Sequence, residues 1–428
     1  MRSALVSLRP LLVATLAVAA VLARPAVAQE DPALSPYVML RSLQFVQDSV
    51  VLGDHSAGEM QRFMLEKIDQ RLRNVDMMVF EDTRNVDAAL IYAMSGGNPA
   101  TLEYLVARDV AGAFDNRLAD ALRKYLSGQG TLVTDRLGDL AREYRDQKIG
   151  AYLALVSGNV TIQNDPQAAL VFYDWARLAS PGTIVEEAAL RRSVAIAVEA
   201  DLVSQGVAYS RKYARRFVHS PYASQFVDFF VQLVVEHFPQ IGEADLDGTV
   251  AGMDVDRRRE VYLRIARHAA VEGKNELAML ASSRAAALSD DDADPPEVLA
   301  RLYGGMAGIS TPGIDAAMED LAEIPDGRLS PRDQALHRAA RAIAAEVLRP
   351  PSAESLGQGT HDTFMSGSDG ADAVAPPGHD VAGSAASGDV RVSGSAVEID
   401  PDFRNFVESG RSKLGAIDAL LREEGVSQ

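Results

Sequence analysis

From residue 36 to residue 349, apolar side chains recur every three or four residues, and this spacing constrains the fold more than any other feature of the sequence. An α-helix of 3.6 residues per turn places such positions on one face, whereas a half-buried strand needs alternation at every second residue. The first two segments that follow the helical spacing are Met39, Leu43, Val46 and Val50, and then Met60, Met64, Ile68 and Leu72. The spacing predicts a body that is almost entirely helical and lacks a sheet.

The middle of the chain carries a weak internal repeat. Comparable helical stretches begin at Ala151, Ala188 and Gln225, at intervals of 37 residues. Second helices are predicted near 168–178 and 203–217, and a further pair near 260–270 and 276–288. Helix pairs at this period predict a tetratricopeptide-like solenoid, although the Trp/Leu/Gly/Tyr consensus of that repeat is absent. Aromatic residues at positions that need bulk between helices are Phe172, Tyr173, Trp175, Tyr209, Tyr213 and Phe217.

Residues 95–99 read Ser-Gly-Gly-Asn-Pro and lie between two helical segments. A glycine can adopt positive φ to end a helix, Asn98 can cap the next helix, and Pro99 suits its first turn. A phosphate-binding loop is the alternative, but neither GxGxxG nor a GKS/T ending is present. The segment therefore predicts a joint between two helices.

The first 28 residues have the three parts of a secretory signal peptide. Arg2 and Arg9 form a basic start, residues 11–22 form an uninterrupted run of Leu, Val, Ala and Thr, and residues 26–28 are Ala-Val-Ala. A membrane anchor is the alternative, but the run is shorter than the roughly 20 residues that a spanning helix needs. We predict cleavage before Gln29 and a mature protein that is soluble in the periplasm, without membrane insertion.

The composition changes abruptly after Arg349. Residues 350–400 are mostly Gly, Ser, Ala, Asp and Pro without an apolar period, which predicts a flexible acidic linker. Residues 401–428 predict an amphipathic helix that docks either on the solenoid or on a partner. Its apolar stripe comprises Phe403, Phe406, Val407, Gly410, Leu414, Ile417, Leu420 and Leu421. The predicted organisation is thus a signal peptide (1–28), a helical repeat domain (29–349), a linker (350–400) and a C-terminal helix (401–428).

Charge and cysteine content exclude several classes of protein. The chain has 42 Lys and Arg against 60 Asp and Glu, a formal net charge of −18. Nucleic-acid binding needs surplus basic residues, and an anionic lipid surface repels such a polyanion. The absence of cysteine excludes disulfides, thiol catalysis and iron–sulfur clusters. We therefore expect no nucleic-acid partner and no cofactor.

The candidate metal ligands do not form a recognisable site. Seven histidines are scattered along the chain, and none belongs to an HExxH motif. The acidic run 290–294 places carboxylates at alternate positions, as a calcium loop does. However, Pro295 stands where an EF-hand loop needs Gly, and Arg301 stands where it needs Glu. This pattern favours a solvated acidic turn between helices over a metal site.

Residues suited to catalysis are equally sparse. The sequence contains no GxSxG nucleophile motif. Glu186 and Glu187 invite comparison with a glycosidase pair, but adjacent residues of a helix point in different directions. Glu187 and Arg191 are instead spaced as a helix-surface ion pair. The sequence provides no positive evidence for an enzyme, and we assign no catalytic residues.

One cluster of positive charge contrasts with the acidic background. Arg211, Lys212, Arg215 and Arg216 form two i,i+4 rows along one predicted helix. Such a face is either a solvated surface that balances neighbouring acidic residues, or a docking patch for an acidic segment. That segment belongs either to a partner or to the protein's own tail. We take these four residues, the basic cluster, as candidate partner-docking residues.

Several segments carry a resemblance to a known family. They are residues 35–37 (Ser-Pro-Tyr), 40–44 (Leu-Arg-Ser-Leu-Gln), 95–99, 181–192 (from Pro-Gly-Thr to Leu-Arg-Arg), 213–217 (Tyr-Ala-Arg-Arg-Phe) and 220–223 (Ser-Pro-Tyr-Ala). In these segments the chain resembles the MotC family of periplasmic motility and chemotaxis proteins of flagellated bacteria. The resemblance implies a protein that binds the periplasmic part of the stator protein MotB and supports flagellar rotation. It also implies an association with the periplasmic chaperone MotE, and it assigns no binding residues.

Two classes of function follow. The first is a non-enzymatic periplasmic protein of the flagellar motor, which the signal peptide, the helical pairs and the resemblance favour. The second is a periplasmic envelope enzyme or assembly factor that acts on peptidoglycan from a helical superhelix. An enzyme needs a concave pocket with an isolated carboxylate, whereas a scaffold does not.

Overall fold

The computed structural model describes residues 35–289 and 295–349, and these residues form seventeen α-helices and three short 3₁₀ segments without a strand. The helices are α1 (Pro36–Val51), α2 (Ala57–Asn74), α3 (Thr83–Met94), α4 (Pro99–Arg108), α5 (Asn116–Leu126), α6 (Thr134–Glu143), α7 (Gly150–Thr161), α8 (Pro166–Ala179), α9 (Ile184–Glu199), α10 (Val203–Arg216), α11 (Ala223–His237), α12 (Glu243–Val250), α13 (Val255–Val271), α14 (Asn275–Ala286), α15 (Pro295–Gly308), α16 (Ile314–Ala322) and α17 (Pro331–Val347). The 3₁₀ segments are Met77–Glu81, Gly130–Val133 and Asp326–Arg328. The all-α prediction is therefore confirmed.

From α7 to α16 the helices form five consecutive pairs. The first helices of these pairs begin at residues 150, 184, 223, 255 and 295, so the repeat is 32 to 40 residues long. Successive first helices pack on one another, from α7 through α9, α11 and α13 to α15. In four of the five pairs the first helix also packs on its own second helix, whereas α12 packs instead on the preceding second helix, α10. This stacking is that of a helical-repeat solenoid, because each pair buries its apolar face against its neighbours.

Polar contacts also follow the repeat. Hydrogen bonds or ion pairs join residues 34 to 37 positions apart on equivalent helices of successive pairs. They are Tyr209 to Asp174, Arg211 to Asp245 and Arg284 to Asp247 between second helices, and Arg191 to Gln225 and Arg264 to Asp228 between first helices. We call these five contacts the one-repeat contacts.

The aromatic side chains pack between helices as predicted. Tyr213 and Phe226 stack with 4.1 Å between ring centroids and connect α10 to α11. Phe172 is buried and meets the half-buried Trp175 edge to face at 5.6 Å. Bulk on these helices therefore fills the core of the stack, where it contributes most to stability.

Residues 95–99 form the predicted joint between α3 and α4. Gly96 has φ of +88°, which a glycine adopts without strain. The Asn98 side chain accepts a hydrogen bond of 3.1 Å from the Ala100 amide, and Pro99 is the first residue of α4. The C-cap, N-cap and first-turn signals thus act as the sequence suggested.

Some predicted features lie outside the described residues. They are the signal peptide 1–28, the acidic run 290–294, the linker 350–400 and the C-terminal helix 401–428. Among the helices that are described, none is both long enough and apolar enough to cross a bilayer.

Candidate partner-binding surface

The four residues of the basic cluster lie in the last two turns of α10. Tyr213 and Ala214 face the core of the stack, so the helical period turns Lys212, Arg215 and Arg216 outward. Arg211 is half-buried. Arg215 and Arg216 also sit at the C-terminal end of the helix, where the dipole favours cations.

Two of the four cations are already paired within the protein. Arg211 Nη2 lies 2.6 Å from Asp245 Oδ1 on α12. Arg216 pairs with Glu186, which also accepts a hydrogen bond of 2.5 Å from the Gly182 amide before α9. These two arginines therefore connect α10 to its neighbours, and the charge available to a partner is concentrated on the other two.

Lys212 and Arg215 form no ion pair with any carboxylate of the described residues. The Lys212 ammonium instead lies 5.5 Å from the centroid of the Tyr209 ring. Its pKa is lowered, first by partial burial and then by repulsion from Arg177 and Arg215. An incoming carboxylate would relieve this repulsion, so Lys212 and Arg215 are the members of the cluster best suited to an acidic ligand.

Lys212 borders a groove of about 470 Å³ between the second helices α8 and α10. Leu170, Val171 and Ala208 are among its apolar lining, and Val171 is 51% exposed. The α8–α10 groove thus combines apolar surface with a cationic edge, as binding sites for protein segments commonly do.

Asp174, Arg177 and Tyr209 make the polar wall of this groove. Arg177 Nε lies 2.6 Å from Asp174 Oδ1, and the Tyr209 hydroxyl donates to Asp174 Oδ2 at 3.3 Å. Burial, and then the Asp174 charge, raises the pKa of Tyr209 to about 12, so this hydroxyl stays protonated and donating at neutral pH. Arg177 and Lys212 thus outnumber the single carboxylate, Asp174, in the lining of this groove.

A second groove, of about 780 Å³, lies on the other side of α8 and is shared with α6. Asp135, Asp139, Arg136 and Arg142 are among its polar lining. Grooves therefore lie on both sides of α8, which suits a partner segment that runs across this helix.

Glu187 and Arg191 form the predicted ion pair, but the prediction of a surface location was wrong. Glu187 is fully buried, and its Oε1 accepts hydrogen bonds from Arg191 Nε at 3.0 Å and from the Tyr213 hydroxyl at 2.8 Å. Burial, and then Glu187, raises the pKa of Tyr213. Arg191 Nη1 donates to Gln225 at 2.5 Å. Glu186 and Glu187 are thus engaged by different arginines and do not converge on a shared site.

Sequence reasoning found the basic cluster but missed the groove beside it. Arg177 and Asp174 are not among the predicted site residues, and Tyr209 is buried in the core as predicted but also lines the groove. The available signal was the repeat itself, because Arg177 precedes Lys212, and Asp174 precedes Tyr209, by 35 residues. Residues one repeat apart face each other across the gap between second helices. Among the described residues, no group of three or more His, Cys, Asp or Glu is arranged to hold a metal ion.

Comparison with known proteins identifies relatives along almost the whole sequence. Residues 1–426 match a family model described as Chemotaxis protein MotC. The chain is 49% identical over 408 residues to Chemotaxis protein MotC of Rhizobium meliloti (strain 1021), which covers 92% of this chain and 93% of that protein. No solved structure matches the chain.

Proposed function

The chain belongs to the MotC family of chemotaxis proteins, and from this membership we propose that it is a non-enzymatic periplasmic protein that binds the periplasmic part of the stator protein MotB. Its role in chemotaxis and motility comes from the family. MotB binding, the requirement for flagellar rotation, and an association with the chaperone MotE are the proposed refinements. The signal peptide pattern of residues 1–28 supports the periplasmic location.

The α8–α10 groove is the observation that supports a binding role most directly. On a chain of net charge −18, Lys212 and Arg215 are cations without an ion-pair partner among the described residues, and Lys212 borders a groove that has both apolar and polar walls. Charge complementarity would steer an acidic segment to this edge, and the groove would bury its apolar side chains. We propose that the segment belongs to MotB.

The experiment is co-purification of the full-length protein with the periplasmic region of MotB. The test variant is Lys212→Glu with Arg215→Glu, because these residues hold no intramolecular ion pair that reversal would break. Arg338→Glu with Arg341→Glu on α17 is the matched control, since both arginines are exposed, share the i,i+3 spacing and form no ion pair among the described residues. We expect at least tenfold weaker MotB binding for the test variant and no change for the control.

A deletion strain separates the motor role from the envelope alternative. We expect loss of swimming with an intact cell wall, restored by the wild-type gene and by the control variant. Intact swimming with an altered wall, together with failure of the wild-type protein to bind MotB, would refute the motor role.

A further inference from the structure

The first two helices carry an exposed apolar face that no described residue covers. Its large side chains are 40% to 74% exposed, and they are Val38, Phe45 and Leu52 along α1 and Met60 and Phe63 on α2. Isolated exposed apolar residues are common, but a set of this size on two neighbouring helices marks a docking surface. We call these five side chains the α1–α2 face.

Part of this face is a groove of about 430 Å³ between α1 and α2. Its lining includes Val38, Ser42, Met60 and Met64, with Arg41 among its polar residues. Unbranched methionine side chains adapt to the shape of an apolar ligand, and grooves of this kind accept side chains of another helix. The α1–α2 groove therefore has the form of a site for the apolar row of a further helix.

The spacing along α1 specifies which helix fits. The exposed large residues Val38, Phe45 and Leu52 lie seven residues apart, and the small residues Ser42 and Ser49 alternate with them at intervals of four and three. Both serine hydroxyls donate to their own helix, at 3.3 and 2.9 Å, so neither needs a partner. A row with this heptad spacing packs against a helix of the same spacing, and α1 of a second copy has that spacing. In an antiparallel pair of α1 helices, one register places Leu52 opposite Ser42 and Phe45 opposite Ser49.

The charges beside this row are complementary in the same register. Arg41 and Asp54 are both exposed, and neither forms an ion pair with another described residue. Hydrogen bonds from Ser56 lower the pKa of Asp54, so its carboxylate is ionised at neutral pH. A second copy that places Leu52 opposite Ser42 also brings its Asp54 within reach of Arg41. Because a two-fold axis repeats every contact, this ion pair forms twice.

The size of the α1–α2 face also fits a second copy. Its five side chains leave about 500 Å² of apolar surface exposed, which is near the upper end for a single patch on a monomer. Two copies would together bury about 1,000 Å² before the polar rim is counted, which reaches the size expected of a specific interface.

We propose that the α1–α2 face is a homodimer interface in which the α1 helices of two copies pack antiparallel about a two-fold axis. Leu52 of each copy enters the α1–α2 groove of the other beside Ser42, and Phe45 packs beside Ser49. Arg41 of each copy pairs with Asp54 of the other. The two helices of each copy thus form an arrangement of four helices, and the α8–α10 groove is not part of it.

The absence of cysteine makes a cross-linking experiment direct. Ser42→Cys and Leu52→Cys in the same full chain lie about 15 Å apart along α1, which is too far for a disulfide within one copy. In the proposed dimer these two positions face each other across the interface, so oxidation should give a disulfide-linked dimer. Each single substitution is a matched control, because each position lies about 15 Å along the axis from its own equivalent and should not cross-link.

Charge reversal tests the pairing in a second way. Arg41→Asp and Asp54→Arg should each weaken self-association at least tenfold, because each sets like charges against each other twice. A mixture of the two variants should associate as the wild type does, since every carboxylate then meets an arginine in the heterodimer. Analytical ultracentrifugation of the full chain measures the association, and circular dichroism checks that each variant keeps its helical content.

The apolar row has its own variant and control. Phe45→Asp should also weaken self-association at least tenfold, because it places a carboxylate among apolar side chains. Val110→Asp should leave association unchanged, since Val110 is 98% exposed elsewhere on the chain.

Three results would overturn the proposal. The first is a wild-type chain that stays monomeric, and the second is a dimer that survives Phe45→Asp or gives no linked product with Ser42→Cys and Leu52→Cys. The third is a monomeric chain that loses MotB co-purification through Phe45→Asp, which would assign the α1–α2 face to MotB. Failure of MotB to bind the wild type, with the dimer intact, concerns the proposed function alone and leaves the dimer supported.

Discussion

Replacing Glu187 tests whether one buried ion pair holds three helices of the stack together. Glu187 on α9 has no exposed surface, and it meets Arg191, whose side chain is 13% exposed, and the hydroxyl of the buried Tyr213 on α10. Arg191 extends the contact to Gln225 on α11. Removing one partner of a buried pair leaves the other charge without compensation, which costs about 3–5 kcal/mol. We therefore expect Glu187→Ala to lower the free energy of unfolding by that amount.

Two further variants separate the charge from the hydrogen bonds and from a nonspecific effect. Glu187→Gln keeps an oxygen that accepts from Tyr213, so it should cost less, about 1–3 kcal/mol. Asp139→Ala removes an ion pair to Arg142 in which both side chains are more than half exposed, and should cost at most about 1 kcal/mol.

Urea unfolding, followed by the fluorescence of the only tryptophan, Trp175 on α8, measures these differences. Circular dichroism checks that the helical content of each folded variant is unchanged. If Glu187→Ala were no more destabilising than Asp139→Ala, the buried pair would not hold the helices together and the reasoning would be refuted.

Three other predictions concern packing, titration and export. Gly158→Ala should lower the free energy of unfolding by about 1–3 kcal/mol, because a Cβ there would lie 2.6 Å from the Tyr173 ring. Gly58→Ala is the control: a Cβ at Gly58 would have no atom within 4 Å, so this variant should be neutral or stabilising in the same urea titration. Burial raises the pKa of Asp48, so the ionised Asp48 carboxylate destabilises the folded state as pH rises. Asp48→Asn should therefore stabilise the protein more at pH 7 than at pH 4 in thermal melts, and a pH-independent difference would contradict this. N-terminal sequencing of the periplasmic protein should begin at Gln29, and an intact N-terminus on a membrane-bound product would refute the cleavage prediction.

The helices and the joint at 95–99 were predictable because their signals are local. Apolar spacing, the Asn98 cap and Pro99 act within one or two turns of the chain. The burial of Glu187 was not predictable in this way, since an i,i+4 pair with Arg191 has the same sequence signature on a surface as in a core. Only the convergence of α9, α10 and α11 decides between them.

The candidate site was predictable in part for the same reason. The four cations of the basic cluster are adjacent in sequence, so their common location on α10 could be inferred. Which of them have partners depends on Asp245 and Glu186, which lie on other helices. The groove beside Lys212 depends on how far α8 stands from α10, and helical spacing within one segment carries no information about that separation.

The one-repeat contacts also have a consequence for how the gene can change in length. Removing a single residue inside α10 turns everything beyond it by about 100° about the helix axis. A deletion before Tyr209 would therefore swing both Tyr209 and Arg211 away from Asp174 and Asp245, and so disconnect α10 from the pair before it and the pair after it at once. An insertion or deletion within the turn between two pairs does not change which residues share a helix face. The one-repeat contacts thus constrain the number of residues in each helix but not in the turns between pairs. Insertions and deletions in this protein should therefore accumulate between the pairs.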